Sequence, residues 1–536
     1  MATRKKQVLK GALWLTLAGL LAKVLSVVYR VPFQNIVGDT GFYAYQQVYP
    51  IYGIGTIFAL SGLPNAVAEV MAGERKLVHR QYFLRRYFIL MLVVGVLIFS
   101  GLFFGRNLLA QEMGDIELAP AIGSISGMFL VFPVVLMLRG AYQARQDMIP
   151  VAVAQVVEQV ARVLMILGVA YWSVRQGDHS VYTITEHAMR SVWVAAFAAT
   201  SILSLFLLGH RGTRRYFRKP RPVEDLPAYL GWGALLRRFL REGLLLCLLS
   251  ALPILLQLLD AFTIYDHLLL AGLAPNVAKA TKGIYDRGQP LVQLGLVLAM
   301  AFQTTYLPLL RNARLGMNRR RFRALFNMYL RLVVFVGLLV TAGLVAIMPQ
   351  MNHMLFHSRA GSWTLVWYVL TITWLGPVLA LFTAHFALNY KRVVFGGLAL
   401  GLLLKGVING VLVMYFGVNG AAWGSLLSLT LMLCWGFYFL PAWTKKALGL
   451  RRLLRDLLPL AGGMLVLVRL ALTLFSYWLG QSRLADTLAV VFGVTFGALC
   501  VLLYLRQRPI LAKEEWQAFP GSAYFLPYLN LKERNA

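Results

Sequence analysis

Several charged side chains of this chain stand inside long apolar stretches, and through them it could do chemistry. A charge at the centre of a membrane-spanning helix costs at least about 2.5–3.5 kcal/mol, so each needs a partner or a watery cavity. Lys23 lies 13 residues beyond Lys10, roughly 20 Å along a helix, too deep for easy snorkelling, and is expected to face a wet interior. Arg30, nearer the far end of the same stretch, either joins that cavity or snorkels to the interface. Arg287 sits just before Pro290, and either pairs with its neighbour Asp286 or faces the cavity; adjacent helical residues point apart, which favours the cavity. Asp260 could pair with Arg287 across the bundle or rest at an interface. Lys405 is deep and without an obvious local partner, and Arg469 has a similar depth in a later stretch. Glu158 and Arg162 stand four apart, the spacing at which helical side chains meet, and are expected to form a self-neutralising intramembrane pair. Arg190 is expected at an interface. Buried cations outnumber buried anions in this set, so a phosphate or diphosphate would complement the cavity, with arginine suited to bidentate contact.

The elements that must position these residues are membrane helices. Of 536 residues, 59% are apolar and 14% charged, and the mean hydropathy is +0.67. Apolar runs of roughly 20 residues recur along the chain, each long enough to cross a hydrocarbon core of about 30 Å. They lack the alternation of barrel strands, so the fold class expected is an all-α polytopic membrane protein. Fourteen spans are expected, near 11–31, 44–72, 86–105, 121–141, 150–172, 187–209, 243–265, 281–310, 325–348, 363–388, 393–416, 420–441, 457–479 and 485–505.

The net charge of +31 lies in short loops rather than in a basic soluble domain, which argues against nucleic acid. About 38 Lys and Arg fall in loops on one side and about 6 on the other, so both termini are expected in the cytoplasm of a bacterial cell. The first span is expected to stay, because no small-residue cleavage site is well placed after it. The longest internal loop, 210–242, carries Arg211, Arg214, Arg215, Arg218, Lys219 and Arg221, and reads as a topology anchor touching anionic lipid.

That loop also divides the chain. Expected are an N-terminal lobe at 1–209, a basic linker at 210–242, a second lobe at 243–444, two further helices at 445–505, and a cytoplasmic tail at 506–536. A weak repeat supports two halves: Tyr45 precedes Pro50 in YQQVYPIYGIG as Tyr285 precedes Pro290 in YDRGQPLVQLG. Repeated halves with interrupted helices suit alternating access around a central site.

Enzyme signatures are sparse. There is no phosphate-binding G-x-x-x-x-G-K-[ST] loop, no H-E-x-x-H, no G-x-S-x-G and no Asp-x-Asp pair. His353 and His357 have metal-ligand spacing, but no acidic residue is near them in sequence, so no metal or other cofactor is expected. Cys247, Cys434 and Cys500 fall in apolar spans and offer no disulfide framework.

The stretch GLLAKVLSVVYRVPFQNIVGDTGFYAYQQVYPIYGIGTIFALSGLPNAVAEVMA resembles the opening of SpoVB/YtgP-type polysaccharide biosynthesis proteins. These are a branch of the MOP superfamily that includes MurJ-type lipid II flippases. AQVVEQVARV at 154–163 and GIYDRGQPLVQLGLVLAMAFQTTYLPLL at 283–310 extend the likeness over most of the chain. The resemblance implies a V-shaped pair of six-helix lobes, with the last two helices forming a groove for a polyprenyl tail. It also implies outward movement of an undecaprenyl-diphosphate-linked cell-wall precursor, lipid II or a related glycan lipid. Family cavity arginines map to Arg30 and Arg287, and Lys23 occupies another basic position. The second span departs from some relatives, carrying uncharged PIYGIG at 50–55 where they have arginine. Membrane potential, Na+ or H+ are the candidate driving forces, and cell-wall synthesis proteins are candidate partners. Two other readings stay open: a MATE-like cation-coupled exporter, and a non-transporting scaffold or membrane glycosyltransferase.

Overall fold

A computed structural model describes residues 18–519, other than 20, 23, 178, 179, 221, 223–225, 446, 447, 481 and 509. The described residues are helices and their connections, with no strand. Eleven of the helices among them are long and apolar enough to cross a membrane. The bent pair Pro275–Gly295 and Val297–Leu315, which turns by 44°, makes a twelfth if its two helices are counted as one span. Each of these coincides with one expected span. The protein is an all-α, multi-pass membrane protein, and what drives it into lipid is visible on its surface. Leu97, Phe104 and Leu484 are all more than 60% exposed, an apolar surface that water would not tolerate. Tyr477 and Trp478 close one span as an exposed aromatic pair, as expected at a lipid headgroup interface.

The two remaining expected spans differ in kind. The first, 11–31, is described only from residue 18, so Lys23 lies outside the described residues. The second is formed by α1 (Arg30–Ile57), a π-helical turn at Phe58–Gly62 and α2 (Leu63–Gly73). Within α1 the chain breaks at Gly38, whose φ of 71° is a left-handed value that glycine adopts without a Cβ penalty. Arg30 therefore stands on the helical segment before the break, and Tyr45, Tyr49 and Tyr52 on the segment after it. Every residue from Gly41 to Gly53 is buried, because neighbouring helices pack around the whole circumference.

The helices fall into two compact units. The first comprises the described residues of Met1–Asp286 and Leu402–Ala421. It contains α1, α2, α3 (Leu77–Phe104), α4 (Met128–Ala144), α5 (Ile149–Arg175), α6 (Val181–Gly209), α7 (Leu244–Leu270) and α8 (Pro275–Asp286). The second comprises Arg287–Gly401 and the described residues of Ala422–Ala536. It contains α9 (Gly288–Gly295), α10 (Val297–Leu315), α11 (Arg319–Phe356) and α12 (Ser362–Ala387). The boundary then passes through α13 (Lys391–Phe416) and α14 (Val418–Tyr438), and α15 (Leu450–Leu479), α16 (Arg483–Gln507) and α17 (Lys513–Gln517) complete the second unit.

The basic connection at 210–242 lies inside the first unit and folds onto the start of α3. Arg80 donates to the Tyr216 hydroxyl at 2.9 Å, Gln81 to the Arg215 carbonyl at 2.7 Å, and Arg86 to the Leu230 carbonyl at 2.8 Å. Tyr229 donates to Glu74, which lies between α2 and α3. That hydrogen bond pulls the Glu74 carboxyl down to about 2. Burial, and then the Glu74 contact, push the Tyr229 phenol up to about 12. Arg211, Arg214, Arg215, Arg218 and Lys219 keep their side chains exposed.

Candidate functional site

In the first unit, two guanidiniums rest on one row of tyrosines. Tyr45, Tyr49 and Tyr52 recur at helical spacing along α1 and so share a face. Arg30, with no exposed surface, places its guanidinium 4.1 Å from the centre of the Tyr49 ring. Arg162 of α5, 2% exposed, lies 4.5 Å from the centre of the Tyr52 ring. The Tyr29 and Tyr45 hydroxyls are 2.7 Å apart beside Arg30. Ring faces attract the cations electrostatically, which lowers the cost of holding them in an apolar bundle.

The expected Glu158–Arg162 ion pair is not formed. Glu158 instead accepts from Arg139 of α4 at 2.7 Å, with Arg139 only 1% exposed. Four-residue spacing brings helical side chains within reach of one another, but a closer cation on a neighbouring helix wins the carboxylate. A cavity of about 30 Å³ lies beside this pair, lined by Tyr52, Thr56 and Glu158 among others.

A second cluster in the same unit corrects two further expectations. Lys405 of α13 is fully buried, and its ammonium lies 2.8 Å from Asp260 Oδ1. Asn409, four residues on, donates to the same carboxylate at 3.1 Å and to Thr263 at 2.6 Å. Tyr285 donates to the other Asp260 oxygen at 3.1 Å. Asp260 thus has Lys405 for its ion pair, and Lys405 has a partner that its own helix does not supply. Asp286, the candidate neighbour for Arg287, is bound by Lys282 at 2.8 Å, one helical turn back on α8. Lys282 was not among the expected residues, although its spacing from Asp286 is the signal that could have found it. Nearby, Asp115 accepts from Tyr43 at 3.1 Å and Tyr182 at 2.7 Å, and pairs with Lys279 at 3.3 Å.

In the second unit Arg287 is 1% exposed. It donates to Asn352 Oδ1 at 3.3 Å and lies 5.3 Å from the centre of the Phe356 ring. Asn352 is itself held by the Ala360 carbonyl and the Ser362 hydroxyl, so the acceptor is fixed in place. Arg469 is exposed on α15 and donates to the Ala346 carbonyl of α11 at 3.3 Å. An apolar groove of about 280 Å³ lies between α11, α15 and α16, lined by residues such as Val340, Ile347, Met464, Val468 and Gly497. His353, expected in a solvated loop without an acidic neighbour, is bound by Asp486 of α16 at 2.6 Å, which also takes Arg359 at 2.6 Å. No cluster of three metal-ligating side chains occurs among the described residues. Arg190 pairs with Glu186 at 2.6 Å on the exposed side of α6.

Two solved structures share this all-helical, multi-pass fold, one of them from the MOP superfamily. One is the lipid II flippase MurJ in an inward closed conformation, with a TM-score of 0.65, 11% identity, and coverage of 92% of this chain and 99% of that one. The other is an inward-facing multidrug resistance MATE family transporter of that superfamily, with a TM-score of 0.62, 13% identity, and coverage of 80% and 96%. The chain belongs to the polysaccharide biosynthesis protein family, whose model matches residues 8–313. Among its relatives, the uncharacterized membrane protein YabM of Bacillus subtilis (strain 168) is 32% identical over 100% of this chain and 99% of its own. The lipid II flippase MurJ of the same organism is 23% identical over 94% and 95%.

Proposed function

We propose that the protein is a flippase that moves an undecaprenyl-diphosphate-linked cell-wall precursor, lipid II or a related glycan lipid, from the cytoplasmic to the outer face by alternating access. The observation that carries this reading is the burial of Arg30 on the tyrosine face of α1. A permanently charged guanidinium in a membrane bundle has a use when an anion visits it. Arg287, buried in the second unit, is the other proposed headgroup contact, and Lys23 a third. Asp260 and Lys405 neutralise each other, so the reading does not need them to touch substrate. The apolar groove between α11, α15 and α16 suits a polyprenyl tail, with Arg469 occupied by the Ala346 carbonyl rather than by the lipid.

Both termini are proposed to lie in the cytoplasm, with the exposed arginines of 210–242 against anionic lipid. A headgroup with two negative charges moving outward against an inside-negative potential gains up to about 4.6 kcal/mol per 100 mV. Membrane potential is therefore one candidate driving force, with Na+ or H+ coupling as the others.

Proteoliposomes carrying a fluorescent undecaprenyl-diphosphate glycan test the proposal. The wild-type chain translocates it, and Arg30→Glu combined with Arg287→Glu abolishes translocation while leaving insertion intact. Undiminished flipping by the folded double variant removes the cationic mechanism. Efflux of organic cations without lipid movement would assign the exporter function instead.

A further inference from the structure

Arg162 is left without an occupation by the ion pairs of its unit. Its helical neighbour Glu158 is held by Arg139, and the guanidinium of Arg162 is pressed on Tyr52 at 4.5 Å. Among the described residues, its Nε and Nη2 atoms have no hydrogen-bond partner, and neither does the Tyr52 hydroxyl. A ring face attracts a cation but offers no lone pair in the plane of the guanidinium. Buried N–H donors without an acceptor are costly, and arginine cannot shed its proton to relieve them.

The position of that guanidinium is informative. Tyr49, which carries Arg30, and Tyr52, which carries Arg162, have ring centres 5.6 Å apart on the same face of α1. Arg30 also lies 5.9 Å from the centre of the Tyr29 ring, whose hydroxyl is 2.7 Å from that of Tyr45. Two like charges are thus gathered on one tyrosine row, the second delivered from α5 onto the uncharged segment 50–55. The Glu158 carboxylate would repel an anion there, and Arg139 cancels it. A ligand that satisfies the set has oxygens enough for two planar forks, and two linked phosphates meet that need better than one.

We propose that Arg162 is a second anion-binding residue, which together with Arg30 receives a diphosphate group along the Tyr49–Tyr52 face. This rests on the flippase reading and sharpens it: the site selects diphosphate over monophosphate, and the α5 arginine supplies the selection.

The test is equilibrium binding by the full-length protein in nanodiscs, with undecaprenyl diphosphate, undecaprenyl monophosphate and inorganic diphosphate as probes. Charge-assisted hydrogen bonds of this kind are worth roughly a 10- to 100-fold change in affinity. Arg162→Met keeps an apolar stem on Tyr52 and removes every donor, and Arg162→Lys keeps the charge without the fork. Both weaken undecaprenyl diphosphate binding by about that factor, affect the monophosphate far less, and retain the wild-type melting temperature. If Arg162→Met and Arg162→Lys bind as wild type while Arg30→Gln has lost the diphosphate lipid, Arg162 is a packing brace and the inference fails, with the flippase reading intact. If Arg30→Gln also binds as wild type, the flippase reading loses its cationic site as well. Binding of inorganic diphosphate with none of the lipid would overturn the headgroup assignment.

Discussion

Lys405 of α13 and Asp260 of α7 form an ion pair of 2.8 Å in which the lysine is fully buried, so each charge is tolerated because of the other. Asp260→Asn strands the ammonium in the bundle, a loss of about 3–5 kcal/mol. A large fall in melting temperature in detergent is expected. Combining it with Lys405→Met restores most of the loss, because no charge is then left buried without its counter-ion. A double variant as unstable as the single one would contradict this.

Arg331 and an aromatic contact hold the described part of the tail, residues 510–519. Arg331 bonds both Glu515 oxygens at 2.5 and 3.2 Å and the Ile510 carbonyl at 3.0 Å, with Trp516 packed on Phe335. Glu515→Gln removes the charged half of that bidentate contact. Hydrogen exchange over residues 510–519 should accelerate roughly tenfold, equivalent to about 1.4 kcal/mol. Unchanged protection would show that the aromatic packing alone holds the tail.

Gly127 faces the Trp193 ring so closely that an added Cβ would fall 1.5 Å from a ring carbon. Gly127→Ala should destabilise the first unit by about 1–3 kcal/mol through overpacking. Gly168 of α5 has no heavy atom within 4 Å of the same position among the described residues. Gly168→Ala should be neutral or raise stability by about 0.5–1 kcal/mol through helix propensity. Thermal melts of the two variants side by side provide the comparison.

The basic connection is docked through Glu74, whose carboxyl lies at about 2 because Tyr229 donates to it. A folded-state value below the unfolded one contributes stability that is complete above the ordinary carboxylate range and is lost as pH falls through about 2. Protease access to residues 210–242 should therefore stay low at neutral pH and rise only in strong acid. In Tyr229→Phe the carboxyl returns toward its usual range, and the rise moves to higher pH.

The span register was legible because apolar runs of membrane length leave little choice, and even the break in the eighth span falls in the glycine- and proline-bearing stretch around Pro290. The burial of Arg287 was the favoured reading over pairing with Asp286, whereas for Arg30 a buried site and snorkelling to the interface stood level until the fold decided between them. What stayed hidden were partners set by tertiary packing. Lys405 finds Asp260 145 positions away, and Glu158 chooses Arg139 over the arginine on its own helix. Spacing rules see one helix at a time, so they marked Tyr45 only as part of a repeat and could not bring Arg162 of α5 onto the Tyr52 ring.

Expression in a bacterial cell depleted of its own lipid II flippase tests the central claim most directly. The account predicts that the wild-type chain restores growth and wall synthesis, and that Arg30→Glu, inserted at the same level, does not. Equal rescue by the charge-reversed variant, or no rescue by wild-type protein correctly inserted in the membrane, would contradict it.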